Sequence, residues 1–371
     1  MAREMLTVME DWKGWESQRQ VEVKDSEVDA LMSLMENKGR MPSHKQDFLL
    51  REVITTDRFP YIFGYTVDRE LLARYKATPA DWKSYFRVKT VPNFNTFERH
   101  EVYGNDNRLP EVTQKGEYLT TPPSAGRYTG AVKKYGRQFD ISWEATINDL
   151  MGAFSDIPQR FADAAIRTEE YVATGTFASA TGPNANLFAV AGVTNAGVLP
   201  LTIANLQTTL TLMASQTDAN GEPILCRGVH LVVPPALELT ARAILTSALV
   251  QWTEVGAGGG IPVPTANVLP QYGLQLHVAP YLPIVDTSAN NDGTWYVFAE
   301  PSLGSALEAD FLRGFETPEI CMKASDKVLV GGAAIDPFSG DFATDNVFFR
   351  VRHVFGTLAL NPRYAYAQVY A

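Results

Sequence analysis

The sequence predicts an α+β protein, on three observations. Between residues 143 and 178, Ile147, Leu150, Met151, Phe154, Ile157, Phe161, Ala164, Ala165 and Tyr171 recur at steps of three and four, drawing one apolar stripe along a long helix. Residues 87–139 instead hold short alternating runs punctuated by Pro92, Gly104, Pro110, Gly116, Pro122, Pro123, Gly126, Gly130 and Gly136, the pattern of strands and turns. Near the C-terminus Val347, Phe349, Val351 and Phe355 point one way, while Phe348, Arg350, Arg352 and Val354 point the other, which is the period of a strand.

Each element follows in order. Residues 1–58 are polar and read as an extended arm with one short amphipathic helix marked by Val28, Leu31, Met32, Leu34 and Met35. Residues 59–86 are rich in aromatics, with RELLARYKATPADW opening as a helix that ends near Pro79. Residues 87–139 read as a long β-hairpin with a Gly/Pro-rich tip; in AVKKYGRQFDIS, Tyr135, Phe139 and Ile141 share a face opposite Lys134, Gln138 and Asp140. Arms of about twenty residues at about 3.3 Å each would project about 65 Å. A lone two-stranded hairpin is marginal in water, so it needs a surface to lie on.

The helix after it is expected to kink or break near residues 155–158, where Pro158 removes a donor and Ser155 or Asp156 can cap a second helix, with Gly175 as the stop. Residues 200–335 alternate helix and strand. LTIANLQTTLTLMAS is helical, DANGEP a turn, GVHLVVP a buried strand, PALELTARAILTSALV a second helix, GAGGG at 256–260 a loop tip, and NNDGTWYVFA a turn followed by a strand.

Length and composition bound the function. A chain of 371 residues suggests two or three domains and buries enough core to need no disulfide or metal staple. With 45% hydrophobic and 20% charged residues it is neither disordered, collagen-like nor a coiled coil. Thirty-two basic against 42 acidic side chains, a net charge of -10, argue against a dedicated nucleic-acid reader. Two cysteines, Cys226 and Cys321, exclude a disulfide framework and argue against a cysteine zinc cage. The start lacks the apolar core of a signal peptide, and no stretch reaches the ~18 apolar residues of a membrane helix, so a soluble, reducing compartment is expected.

Charge is uneven along the chain. Residues 61–140 carry 13 basic and 9 acidic side chains, a balance of +4, while every other segment is negative. Either this is a solvated face or the segment lies against an acidic surface of the same or another copy.

The motifs of chemistry are missing. GAGGG is followed by IPVPTANVLP rather than a helix with Lys-Ser/Thr, so it fits no phosphate loop. Cys226 and His230, four apart at the start of a strand, are read as a buried thiol and a satisfied histidine rather than a reactive pair. PSLGSA is no nucleophile elbow, and no zinc-protease or calcium-loop pattern occurs. Glu169 and Glu170 are adjacent on a helix and read as solvated surface. Arg350 and Arg352 share a strand face, either solvated or paired with an acidic neighbour. No catalytic, cofactor or metal site is expected.

Three strings resemble tailed-bacteriophage major capsid proteins of the Hong Kong 97 fold. They are KKYGRQFDISWEATINDLMGAFSDIPQRFADAAIRTEEYVATGTF at 133–177, GTWYVFAEPSLGSALEADFLRGFETPEI at 293–320, and NVFFRVRHVFGTLAL near the C-terminus. The resemblance implies an N-arm at 1–60, a junction at 61–86, an E-loop at 87–139, a P-domain with spine helix at 140–200, an A-domain at 201–335 and returning P-domain strands at 336–371. It implies a non-enzymatic shell protein assembling as hexamers and pentamers around double-stranded DNA, in a virion built in the host cytoplasm. Scaffolding, portal and decoration proteins are the implied partners. Packaged DNA would be touched non-specifically, with no membrane and no cofactor. An encapsulin-like compartment shell is the alternative, a soluble enzyme the second.

The implied assembly contacts are Lys115, Arg127, Lys133, Lys134 and Arg137 in the E-loop, Gly258 and Gly259 at an axial loop, and Arg350 and Arg352 on the last long strand. About 60 residues precede the junction, which suggests a separate scaffolding protein or removal of a longer precursor. Some relatives crosslink an E-loop Lys to an Asn; Lys115, Lys133 and Lys134, with Asn346 or Asn361, are the residues available here.

Overall fold

A computed structural model describes residues 69–103 apart from 70 and 79, 124–142, 151–218, 221–253 apart from 225, 262–323, 325–327 and 340–370, with isolated positions from 111 to 118. The arm at 1–58 with its short helix, Lys115, residues 143–150, the hairpin tip and the 256–260 loop lie outside the described residues. The chain forms two compact units. One holds Met1–Pro79, Lys134–Ile166 and Thr317–His353; the other holds Ala80–Lys133, Arg167–Glu316 and Val354–Ala371.

The fold is α+β. In the first unit, residues 71–77 are helical and stop just short of Pro79, as expected, burying Leu71 and Tyr75. The Tyr75 ring meets His353 edge-on at 6.0 Å. The Glu319–Met322 strand runs antiparallel to the Val347–Ala359 strand, and Lys133–Ile141 pairs with the same long strand. Phe139 stacks on Phe161 at 4.9 Å and on Phe349 at 5.0 Å, so strand and helix share an aromatic seam. Val347, Phe349 and Val351 are buried and Arg350 is exposed, the alternation expected of this strand.

The second unit is built on two sheet systems. Arg87–Val91 runs parallel to Leu307–Leu312, which runs antiparallel to residues 355–359. A second sheet has the order Gln275–Val278, Gly228–Val233, Trp295–Ala299, Ala365–Gln368 and Ala196–Gly197. The Gly228–Val233 and Trp295–Ala299 strands are almost continuously apolar because both faces are covered. The Ile203–Ala214 helix packs over them through Leu206, Leu210 and Met213, with Thr202 capping its start by accepting from the Asn205 amide at 3.3 Å.

Several expectations need correction. The helix runs unbroken from Met151 to Phe177 through Pro158. A proline costs a helix one donor and some crowding, but one early proline does not end a helix whose following turns are packed from Ala162 to Phe177. The helix also passes Gly175, and its last carbonyls find a donor in Asn184, whose Nδ2 lies 2.9 Å from the Thr176 oxygen. Its buried face is Ala162, Ala165, Ile166, Glu169, Ala173 and Phe177; Tyr171 is exposed. Residues 235–246 are helical, but Leu249–Thr253 is a strand rather than the helix end, pairing with Pro262–Ala266. Among the described residues the hairpin ladder pairs Phe97–Tyr103 with Ser124–Gly130, seven residues on each strand, about 23 Å at about 3.3 Å per residue. The flanking residues 87–91 and 133–141 join sheets instead, where their backbone groups gain partners that a free hairpin would have left to water.

Trp82 anchors the core of this unit. It is 2% exposed and its ring lies 5.2 Å from Phe355, 5.5 Å from Phe86 and 6.3 Å from Phe311. We expect Trp82→Ala to cost about 3–5 kcal/mol, read as a lower denaturant midpoint. Trp82→Phe should cost much less, because the indole N–H has no acceptor among the described residues. Equal losses from the two changes would mean the ring does not carry this packing.

Candidate functional site

The hairpin and the surface it rests on form the most elaborate polar arrangement in the second unit. It begins in the strand L-E-A-D-F-L, Leu307–Leu312. Alternation turns Leu307, Ala309 and Phe311 to one face and Glu308, Asp310 and Leu312 to the other. The register places Arg87 beside Glu308, Lys89 beside Asp310 and Val91 beside Leu312, with Leu358 and Gly356 across the second ladder. Both carboxylate side chains are fully buried.

Arg99, on the first hairpin strand, covers them. Its Nη2 donates to Asp310 Oδ1 at 2.8 Å, its Nε donates to Glu308 Oε1, and Lys89 Nζ lies 3.5 Å from Glu308 Oε2. Its guanidinium also sits 4.7 Å from the Phe97 ring centre. Burial pushes the Asp310 carboxyl up to about 6, the Glu308 charge adds to this, and Arg99 opposes it. A second root contact joins Glu101 to Asn361 Nδ2 at 2.8 Å and to the Tyr128 hydroxyl at 3.2 Å. Backbone clearance matters as much as charge. A Cβ on Gly356 would stand 2.7 Å from the Ala131 oxygen and 2.8 Å from Val132 Cα, so only glycine lets the chain leaving the hairpin cross the sheet there. Val91, Val132, Leu312 and Val354 close the apolar side, with Phe97 packed against them.

A second polar cluster lies in the other sheet. His230 Nδ1 is 3.0 Å from His277 Nε2, and His277 Nδ1 is 2.8 Å from Asp81 Oδ1. His230 Nε2 lies 3.4 Å from Glu300 Oε2. Burial and the facing His277 lower the His230 pKa, and Glu300 works the other way.

The residues singled out from sequence fall as follows. Arg127 is exposed on the hairpin and pairs with Glu98 at 3.3 Å. Lys133, Lys134 and Arg137 are exposed on the strand that follows, and Arg350 is exposed on the long strand. Arg352 pairs with Glu319. Lys115, Gly258 and Gly259 lie outside the described residues. Of the two asparagines, Asn361 is spent locally: its Oδ1 caps the following turn at the Arg363 amide and its Nδ2 holds Glu101. Asn346 donates to Asp140 at 2.8 Å. Part of the basic segment does lie on an acidic surface, and that surface is in the same copy: Arg87, Lys89 and Arg99 meet Glu308 and Asp310.

Glu169 corrects the sequence reading. It is fully buried on the inner helix face, and burial with the Asp81 and Glu169 charges raises the Glu170 carboxyl. The thiol behaves as expected and the histidine in part. Cys226 is buried, its thiol pushed up to about 12 by desolvation, and His230 Nδ1 pairs with His277 rather than with sulfur; the expectation of a satisfied histidine holds at that nitrogen only, since Nε2 is buried without a hydrogen bond. Sequence reasoning missed Arg99, Glu308, Asp310, His277 and Asp81. Glu308 and Asp310 did leave a signal, two carboxylates two apart in an otherwise apolar strand. Among the described residues no group of three side chains could hold a metal ion, and no helix is long and apolar enough to cross a membrane.

A family model described as phage capsid protein matches residues 127–368. No curated protein sequence matches. Among solved structures, the chain is similar to the capsid of the cyanophage P-SCSP1u, at 14% identity and a TM-score of 0.48 over 78% of this chain and 88% of that one. It is similar to the capsid of the native GTA particle at 13% identity and 0.48, covering 79% and 90%. A structure from Mycobacterium phage Cain gives 11% and 0.48, covering 79% and 91%.

Proposed function

Because the chain belongs to the phage capsid protein family, a structural family and not an enzyme family, we propose that it is the major capsid protein of a tailed phage, assembling as hexamers and pentamers into an icosahedral shell around double-stranded DNA. The observation that carries the assembly mechanism is the docked hairpin. Its root is neutralised inside the chain by Glu308 and Asp310, while Arg127, Lys133, Lys134 and Arg137 remain exposed. A rigidly rooted arm followed by a strand of exposed cations suits contact with the acidic body of a neighbouring copy.

In this reading residues 87–139 form the E-loop, 1–60 an arm beneath a neighbour joined to it by 61–86, 140–200 and 336–371 the P-domain, and 201–335 the A-domain with Gly258 and Gly259 at the capsomer axis. Arg350 and Arg352 contribute to the same surfaces. The contacts are noncovalent; scaffolding, portal and decoration proteins join the shell in the host cytoplasm, and packaged DNA is held without sequence preference. The net charge of -10 suits a container, since a strongly basic wall would trap the genome.

The test is to express the chain alone and with its scaffolding partner, then measure mass in solution and image the product. Closed shells are expected. A stable monomer at high concentration in both cases overturns the proposal. Shells that carry enzyme cargo instead of nucleic acid in native particles would make it a compartment protein.

A further inference from the structure

The buried histidine pair carries an inference that does not depend on shell formation. His230 is 2% exposed and His277 5%. They sit on adjacent parallel strands and are linked through their rings, with a carboxylate at each end of the line: Asp81, His277, His230, Glu300.

Counting protons along this line fixes its state. Asp81 accepts, so His277 must donate from Nδ1 and present a bare lone pair at Nε2. That lone pair accepts from His230 Nδ1, which leaves His230 Nε2 bare as well. Yet Nε2 faces the Glu300 carboxylate at 3.4 Å, one acceptor against another, and it is buried without a hydrogen bond. The line therefore has room for one more proton, and only at this contact. The four side chains are strung in a line, and among the described residues no three of them converge to hold a metal ion, so the open contact suits a proton.

We propose that Asp81, His277, His230 and Glu300 form a one-proton switch: uptake of a proton between His230 and Glu300 pins the turn at residues 300–304, and its loss releases that turn. The turn is otherwise held by the Leu303 and Gly304 amides donating to the Glu300 carbonyl at 3.1 and 3.3 Å. It carries Leu303, 73% exposed, at the edge of a cleft of about 580 Å³ also lined by Lys83, Arg87 and Val88. Pinning Glu300 thus fixes one wall of an exposed cleft.

The other groups turned toward the pair are known. Tyr85 packs its ring 5.2 Å from His277 and 6.4 Å from His230, and burial raises its phenol far out of the working range. Glu170, from the long helix, adds negative charge near Asp81 and Tyr85. Lys83 and Arg87 border the cleft on the Glu300 side. Burial and His277 hold the His230 pKa below the ordinary histidine range, so the His230 imidazole is neutral at neutral pH and takes up its proton only on acidification.

The test uses the full chain and two hydrogen-exchange readouts between pH 7.5 and 5. Exchange at the imidazole carbon reports the protonation of His230. His230 should titrate below the ordinary histidine range, and exchange at the Leu303 and Gly304 amides, corrected for intrinsic rate, should slow several-fold with the same midpoint. Glu300→Gln supplies an amide N–H to His230 without a proton, so these amides should show acid-level protection already at pH 7.5 and lose their pH dependence. His230→Gln should do the same from the other side. Turn exchange that ignores pH in the wild type, or a full pH response that survives in Glu300→Gln, overturns the proposal. Glu300 is part-exposed, so its substitution leaves the fold to report the answer.

Discussion

Replacing Arg99 with methionine should destabilise the chain by about 3–5 kcal/mol at pH 8, because it strands two buried carboxylates under the hairpin. The paired guanidinium is what makes burial of Glu308 and Asp310 tolerable, and methionine fills similar volume without charge. The loss should shrink in acid. Asp310 titrates near 6 in the folded chain against an ordinary 3.8, so the folded state binds more protons in that window and gains stability as pH falls from about 6 toward 4. Without Arg99, which opposes the rise, the window widens upward. Denaturant midpoints of variant and wild type at pH 8 and 5.5 give the check. The difference between the two proteins also cancels the opposite, acid-weakening contribution of His230. A variant as stable as wild type at pH 8, or a deficit that does not change with pH, would show that the cluster is not held by this charge pairing. Arg99→Lys should fall between, since an ammonium cannot hold both carboxylates with one planar fork.

Excising the hairpin tip should abolish shells while leaving the folded body intact. The cut belongs at residues 104–123, joined by Asn-Gly, because Tyr103 and Ser124 form the last register pair among the described residues and a two-residue turn suits it. A wider deletion would remove Glu101 and Tyr128, which hold the root to Asn361, and would confuse misfolding with failed association. The shortened chain should keep the wild-type unfolding midpoint, with the mass of small oligomers and no closed particles in micrographs. Shells of normal size from this variant would take the tip out of assembly. A lowered midpoint would assign it a role within the chain.

The sequence was legible where one physical signal dominated. Strict alternation placed Val347, Phe349 and Val351 on the buried face, and the apolar run around Gly228–Val233 marked a covered strand. Local rules misled where tertiary contacts compete with them. Pro158 alone reads as a helix boundary, yet the helix runs through it, and the face buried from Ala162 to Phe177 is tertiary packing that local propensity does not report. Residues 87–141 have the composition of one hairpin, but strand pairing depends on partners 200 or more residues away, which no local pattern reports. The same limit hid the site. Arg99 reads as one of 13 cations in its segment, and Asp81 and His277 as isolated polar residues, until the fold brings Glu308 and His230 to them.

The anchoring of the hairpin sets a clock on synthesis. Arg99 and Glu308 are separated by 209 residues. At about 5–20 residues per second, the arm waits roughly 10–40 s on the ribosome before its acidic seat is made. Gly356 and Asn361, which complete the seat, emerge later still than Glu308. A nascent chain that stops short of residue 361 therefore cannot hold its arm in the final pose, because Glu308, Asp310, Gly356 and Asn361 are not all in place.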